Sequence, residues 1–472
     1  MTLQLYDTMS RRLQPVTPLE RGHVRMYTCG PTVYARAHIG NFRTFLFEDV
    51  LRRWLERRFP RVTHVMNLTD VEDKIIRNAL KDGRTLDEET APHIAGFFED
   101  LEALGIRPAH HYPRATEYID AMVDLIVRLQ ERGVTYGSDG SIYFRIAGFP
   151  EYGKLSGVHA QELAAGASGR VDADEYSKED ARDFALWKAV SHDEPGWDTR
   201  IGRGRPGWHI ECSAMSMQLL GESFDIHCGG VDNIFPHHEN EIAQSEAATC
   251  HRFVSIWCHG AHLRIEGEKM AKSLGNIATL HELLAEERAT PAATRYLLIA
   301  IAHYRKVLNY TEEALHASVE AVERFAAFRD RVAGIKTFGE AESEVLAVVE
   351  SARQGFAEFL DDDLNLPGAM GKVFDAVRDV NRMLDQWLIS ERARRSIIAF
   401  IDEVDDVLGV LSLFDRDRAG ALSEAEEELL EARAAARKNR DFATSDRIRT
   451  QLREMGITVE DTVDGQRWRR GA

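Results

Sequence analysis

The densest group of chemistry-bearing side chains lies in the run Gly229-Gly230-Val231-Asp232-Asn233-Ile234-Phe235-Pro236-His237-His238-Glu239-Asn240-Glu241. Pro236 is placed to open a helix, since its fixed φ suits the first turn and its missing N–H is not needed there. On such a helix His237 and Glu241 stand at i and i+4, share one face and can point at a common ion. Cys29 and Cys212, from distant segments, complete a set of two sulfurs, one nitrogen and one oxygen that is compatible with tetrahedral zinc. His238 is a rival ligand that spacing does not dismiss, and acids at a helix start also favour its dipole with no metal at all.

Two further stretches suit phosphate chemistry. Ala37-His38-Ile39-Gly40-Asn41 follows a strand-like run and precedes a helical one, where backbone N–H groups and the helix dipole attract anions. His38 and Asn41 add side-chain donors and Gly40 allows close approach to the backbone, although a histidine at a helix start can also be a plain cap. Lys269-Met270-Ala271-Lys272-Ser273, flanked by Gly267 and Gly275, can form a loop that closes on phosphates, with Lys272 neutralising a departing pyrophosphate; an exposed basic turn is the bland alternative. Trp208 could wall a small pocket or fill a core. Asp70 and Asp73 could meet an ammonium group or cap the next helix. Cys228, Cys250 and Cys258 read as packing residues.

These stretches need a frame to position them. Val24 to Cys29 reads as a strand, Phe42 to Phe59 as a helix and Val62 to Leu68 as a second strand, the start of a doubly wound parallel α/β sheet. In such sheets ligands sit at the carboxyl ends of strands, where Cys29 and Asn67 to Asp73 fall. The pattern breaks over about 86–206, read as an insertion that includes a helix near Tyr118 to Glu131 and a hairpin, Thr135 to Ile146, turning at Asp139-Gly140. A catalytic domain over 1–260, a connecting region over 261–310 with the lysine loop, a helical bundle over 311–415 and a small module over 421–472 are the expected divisions. Val373, Val377, Val380 and Leu384 carry the helical spacing of the bundle.

Bulk properties set the bounds. The 472 residues are 44% hydrophobic and 29% charged, which suits several globular domains. No apolar run approaches the roughly 20 residues of a membrane span and no secretory signal is visible, so a cytoplasmic protein is expected. Five cysteines in so long a chain argue against a disulfide framework. A net charge of −18 opposes non-specific polyanion binding, yet residues 431–470 hold ten Lys or Arg against seven Asp or Glu.

Taken together, Cys29-Gly30-Pro31-Thr32-Val33-Tyr34 leading into His38-Ile39-Gly40-Asn41, Asn67-Leu68-Thr69-Asp70, Gly204 to Cys212, the Phe235 to Glu241 block and the lysine loop resemble class I aminoacyl-tRNA synthetases, and within them the cysteinyl-tRNA synthetase family. The likeness runs nearly end to end. It implies a Rossmann-like catalytic domain with an insertion, followed by an all-α anticodon-stem bundle and a small anticodon-recognition module. It implies activation of L-cysteine by ATP, with Mg2+, and transfer of the cysteine to tRNA(Cys) by a monomer holding one zinc ion. By that resemblance His38, Gly40, Asn41, Lys269 and Lys272 serve ATP. Cys29, Cys212, His237 and Glu241 hold the metal, and Cys29, Thr69, Asp70 and Trp208 border the amino acid.

The resemblance also places Arg467, Trp468 and Arg469 on the tRNA, where the ring can stack on an unpaired base; packing of the module's own core is the competing role for Trp468. Asn41 stands where the general class I motif has a second histidine, and Ala271 where the lysine loop usually has serine. A related ligase that joins cysteine to an amino sugar shares the metal and ATP chemistry but lacks the tail, and a silent RNA-binding paralogue would have lost the ATP motifs.

Overall fold

Along the first core strand, neighbouring side chains enter different cores: Val24 and Met26 face one, Tyr27 the other. That period of two, apolar on both sides, belongs to a strand buried in a parallel sheet with helices on each face. The computed structural model describes residues 2–158, 183–269, 278–285, 289–419, 424–439, 441–462 and 465–470. A terminal hairpin of β1 (Gln4–Asp7) and β2 (Arg12–Pro15) precedes β3 (His23–Thr28), α1 (Ile39–Arg58) and β4 (Arg61–Met66). Next come α2 (Asp73–Asp82), α3 (Leu86–Ala103) and α4 (Ile119–Glu131). Strands β5 (Thr135–Ser138), β6 (Ser141–Phe144), β7 (Phe184–Ala189), β8 (Trp197–Thr199) and β9 (Gly202–Pro206) then form a separate antiparallel sheet in the order β5-β6-β7-β9-β8. Asp139 and Gly140, both at positive φ, make the β5–β6 turn.

The chain re-enters the core through α5 (Trp208–Leu220), β10 (Phe224–Gly230), α6 (Glu239–Thr249) and β11 (Val254–Gly260). The core sheet has the order β11-β10-β3-β4 and every pairing is parallel. Ile226, Cys228, Ile256 and Cys258 pack with α1, whereas Trp257 and Phe224 pack with α5 and α6 residues such as Met215 and Ile242. The sheet is thus covered on both faces, the doubly wound arrangement expected from the sequence.

Helix α1 begins at Ile39, three residues before the apolar pattern that predicted it. His38 and Asn41 form a reciprocal capping box that starts the helix early: His38 Nδ1 accepts from Asn41 N at 3.3 Å, and Asn41 Oδ1 accepts from His38 N at 3.1 Å. Beyond the sheet, Leu263–Ile265, Glu268–Lys269 and Leu308–Tyr310 make a small three-stranded sheet, with helices Leu280–Ala285 and Pro291–Ala300 between. Helices Glu312–Ala333, Ser343–Asp361, Leu366–Gln386, Glu391–Leu408 and Leu411–Ala419 follow, and Val373, Val377 and Val380 are buried as their spacing predicts. Helices Glu424–Lys438 and Phe442–Glu454 with the hairpin Ile457–Thr462 and Gly465–Arg470 close the chain around a separate small core of Leu430, Ile448, Leu452, Ile457 and Val459. No helix among the described residues is long and apolar enough to cross a membrane.

Candidate functional site

Strand β3 delivers Cys29 at its carboxyl end, and Gly30 must follow it. A Cβ there would lie 1.8 Å from the Asn67 carbonyl oxygen, so only glycine lets the segments after β3 and β4 run this close. Gly207 does the same at the entry to α5: a Cβ would sit 2.0 Å from Ala185 O, and its absence brings Cys212, on the second turn, back under the core sheet. The structure brings Cys29, Cys212, His237 and Glu241 together, one donor atom from each lying within 4.8 Å of the others, all buried.

A second set, Cys29, His227, His238 and Glu241, meets the same distance criterion, so the structure keeps His238 beside the site. His238 has both nitrogens engaged, Nε2 3.2 Å from Cys29 Sγ and Nδ1 2.8 Å from His259 Nε2, whose ring reaches Thr8 Oγ1 at 2.7 Å through Nδ1. His227 Nε2 lies 3.1 Å from Glu241 Oε2. Neither His227 nor His259 was singled out in the sequence. The signal was there, a histidine within each of two core strands, but only strand order makes the two neighbours. Pro236 corrects an expectation: it does not open a regular helix. Its peptide bond is cis, residues 234–238 form an irregular turn, and α6 starts at Glu239. His237 still reaches Glu241 Oε1, at 3.1 Å.

The electrostatics follow from packing ionisable groups in a dry space. The shared contact with Cys29 draws the Cys212 thiol down to about 6 against its burial, while Cys29 itself is pushed well up. Burial would raise Glu241, but His227 and His237 hold it at about 2; burial would lower His237, but Glu241 and Cys212 hold it near 10. Burial, with His227 and His259 alongside, keeps His238 neutral. His209 Nδ1 sits 3.0 Å from His237 Nδ1, which leaves Nε2 of His237 turned to Glu241. Oε1 of Glu241 is buried without an aligned hydrogen bond. Two thiols, an imidazole nitrogen and a buried carboxylate oxygen without an aligned hydrogen bond fit a tetrahedral zinc ion. Trp208 stacks on the His237 ring with centroids 4.3 Å apart and keeps 41% of its surface exposed, so it is a wall at the site's edge.

The other expected residues fall as follows. Thr69 and Asp70 are buried in the segment after β4. The Thr69 backbone pairs with Pro31 and Val33, and Asp70 accepts from Thr116 N at 3.0 Å and Thr116 Oγ1 at 2.7 Å. Asp73 does not cap α2: Glu72 does, and Asp73 instead pairs with Arg205 and Lys188 of the inserted sheet. His38 and Asn41 occupy the α1 cap, and Ile39 N bonds Ala278 O at 3.0 Å, which ties this turn to the chain just past the lysine loop. Lys269 ends a short strand; Lys272 lies outside the described residues. Trp468 packs partly on the small terminal core, and the side chains of Arg467 and Arg469 lie outside the described residues. Cys228 and Cys258 are packing residues as expected, but Cys250 is exposed, at positive φ where it ends α6.

Comparison with known proteins extends this picture over the whole chain. Residues 15–320 match the family described as tRNA synthetases class I (C) catalytic domain, 355–414 the DALR domain and 419–469 the cysteinyl-tRNA ligase anticodon binding domain. The chain is 48% identical to a cysteine–tRNA ligase of Solibacter usitatus over 472 residues, all of both chains. It is 46% identical to that of Protochlamydia amoebophila, over 98% of this chain and 97% of the other. Among solved structures, a Mycobacterium tuberculosis methionyl-tRNA synthetase in complex with methionyl-adenylate shares the fold, with a TM-score of 0.59 at 17% identity over 90% of this chain and 96% of that one. A parallel sheet with a thiol-rich cluster at its carboxyl ends, a full-length likeness and a matching terminal module lead to one assignment: the chain belongs to the cysteine–tRNA ligase family of class I aminoacyl-tRNA synthetases.

Proposed function

We propose that this enzyme activates L-cysteine with ATP, releasing pyrophosphate, and transfers the cysteinyl group from the adenylate to the 3′ end of tRNA(Cys), releasing AMP. The observation that carries the reading is the meeting of Cys29, Cys212, His237 and Glu241 at the carboxyl ends of the core strands, in a chain aligned end to end with cysteine–tRNA ligases.

Cys29, Cys212, His237 and Glu241 would hold the metal; bound there, zinc would supply a soft Lewis acid that takes a thiolate at about 2.3 Å and disfavours the serine hydroxyl. A pocket of carbon atoms could not make that distinction, since cysteine and serine differ by one atom of similar shape. The set with both thiols is preferred over the set with His227 and His238, because it leaves those rings to orient Cys29 and Glu241. Trp208, Thr69 and Asp70 would border the amino acid. At α1, Nδ1 of His38 accepts from the cap, which fixes its tautomer with the proton on Nε2. His38 and Asn41, with the helix dipole and Gly40, would stabilise charge on the α-phosphate as the cysteine carboxylate attacks it. Lys269 and Lys272 would meet the phosphates, with Mg2+ on the ATP. The bundle over 311–415 would hold the anticodon stem, and the module over 421–472, with Arg467, Trp468 and Arg469, the anticodon. A cytoplasmic monomer is the setting proposed.

The test is aminoacylation of a tRNA pool with each amino acid, before and after chelation. Cysteine alone should be charged, and chelation should abolish charging. Equal ATP–pyrophosphate exchange with serine would remove the metal-selection step.

A further inference from the structure

Between Cys29 and the α1 cap the chain crosses residues 30–37, and one side chain there grips the body of the protein. Arg36 makes a two-pronged contact with Asp100 on α3, Nε to Oδ2 at 3.0 Å and Nη2 to Oδ1 at 2.8 Å, and Nη2 also reaches Glu99 Oε2 at 3.1 Å. The Asp100 side chain is 3% exposed and that of Arg36 26%, so the carboxylate of this bidentate pair is shielded from water while the guanidinium is partly open to it. The guanidinium lies on Gly96, one turn earlier on α3; a Cβ there would come within 3.3 Å of Arg36 Cζ and 3.4 Å of Nε and Nη1. Gly96 therefore makes room for the guanidinium, which an added methyl would displace by a few tenths of an ångström. Helix α3 is itself fixed to the first half of α1, since Phe97 packs edge-on against Phe45 at 5.5 Å, and Phe45 against Phe42 at 5.7 Å. From the other side Lys74 of α2 sits over the Tyr34 ring at 4.8 Å.

We infer that Arg36, seated on Gly96 and locked to Asp100, is a positioning residue that fixes the His38–Asn41 turn for phosphate stabilisation. This rests on the proposed role of that turn in adenylation. Only Ala37 separates Arg36 from His38, so an anchored Arg36 side chain restrains the backbone that leads into the cap. Val33 and Ala37 are buried and hold the same segment from within, so the Arg36 pair is its anchor on the α3 side. A displacement of about 1 Å at a group that stabilises a transition state can lower the rate about 100-fold without touching ground-state binding.

The experiment is cysteine-dependent ATP–pyrophosphate exchange by the full-length enzyme carrying Arg36→Gln, Asp100→Asn, both together, or Gly96→Ala, with His38→Ala as reference. The three polar variants should lower kcat about 10- to 100-fold with KM for cysteine unchanged, Gly96→Ala should lower it by a smaller factor, and the double variant should be no worse than the worse single one. Gly96→Ala alters no charge and keeps both partners, so it reports on the seat if the polar variants lose stability in a thermal melt. If Arg36 instead contacts ATP directly, Asp100→Asn is much milder than Arg36→Gln and KM for ATP rises; that result overturns the proposal. So does normal kcat in Asp100→Asn and Gly96→Ala while His38→Ala is inactive. Normal exchange in His38→Ala would fail the reading of the turn itself, a separate outcome.

Discussion

The thiols of Cys29 and Cys212 share a contact deep in the protein, although one ends the first core strand and the other lies on a helix reached only after the inserted sheet. Their shared contact, burial and the Glu241 charge keep Cys29 protonated, while the same contact, with His237 alongside, draws Cys212 down to about 6, so the two thiols do not ionise together. A bound cation removes that restriction.

Cys212→Ser should therefore lose metal and cysteine-dependent exchange together, each at least about 100-fold, the scale above the loss seen when only supporting residues of a metal site are removed. Metal content after dialysis and exchange kinetics measure both. A variant that keeps its metal and its activity would exclude Cys212 as a ligand.

Glu48 lies on α1 fully buried, with both oxygens short of an aligned hydrogen bond and its carboxyl pushed well above the usual range by desolvation, which the Thr28 hydroxyl only partly offsets. Unfolding exposes a carboxyl that ionises near about 4.3, so its folded neutral form contributes fully below that pH and the contribution is lost as pH rises toward the folded-state pKa. Glu48→Gln should then raise stability at pH 8 by about 1–3 kcal/mol and change little at pH 4. Melting curves at the two pH values decide it, and an equal effect at both would show that Glu48 is ionised in the fold.

Asp49, the next residue, has the opposite fate. Burial would raise it, but Arg295 at 2.5 Å and Arg53 at 2.7 Å, with the Arg107 N–H, hold it below the usual carboxylate range. Its contribution is therefore complete above about 3.9 and lost as pH falls through the lowered folded-state value. Asp49→Asn leaves Arg295 buried without its countercharge and should lower stability at pH 7 by about 3–5 kcal/mol. Urea unfolding measures this; a loss under about 1 kcal/mol would show that the Leu408 and Leu104 carbonyls, which also accept from Arg295, suffice alone.

Removing the residues after 420 should leave cysteine-dependent exchange within about twofold and lower tRNA charging at least about 100-fold, because that segment folds around its own small core. Full charging by the shortened enzyme would take anticodon reading away from the tail.

Much of the frame was legible from local pattern. Short strand-like runs marked β3 and β4, Asp139-Gly140 marked the inserted hairpin, and Val373, Val377 and Val380 marked a bundle helix, because burial on a regular element shows in the residues along it. The start of α1 was misplaced because polar His38 and Asn41 cap it where apolar spacing is silent. Pro236 misled because helix-opening preference is statistical, and here residues 234–238 form an irregular turn instead.

What the sequence alone determined was the kit of donors and most of the elements that carry them: a sulfur at a strand end, a histidine and a glutamate four residues apart, a polar turn before a long helix. Tertiary structure decided which donors meet, that His227 and His259 join His238 under the site, that burial raises the Glu48 carboxyl while Arg295 and Arg53 lower that of Asp49, and that Arg36 lies on Gly96. Spacing along a chain fixes directions within one element, whereas convergence of groups far apart, and the charge each can carry there, depend on strand order and on how completely water is excluded.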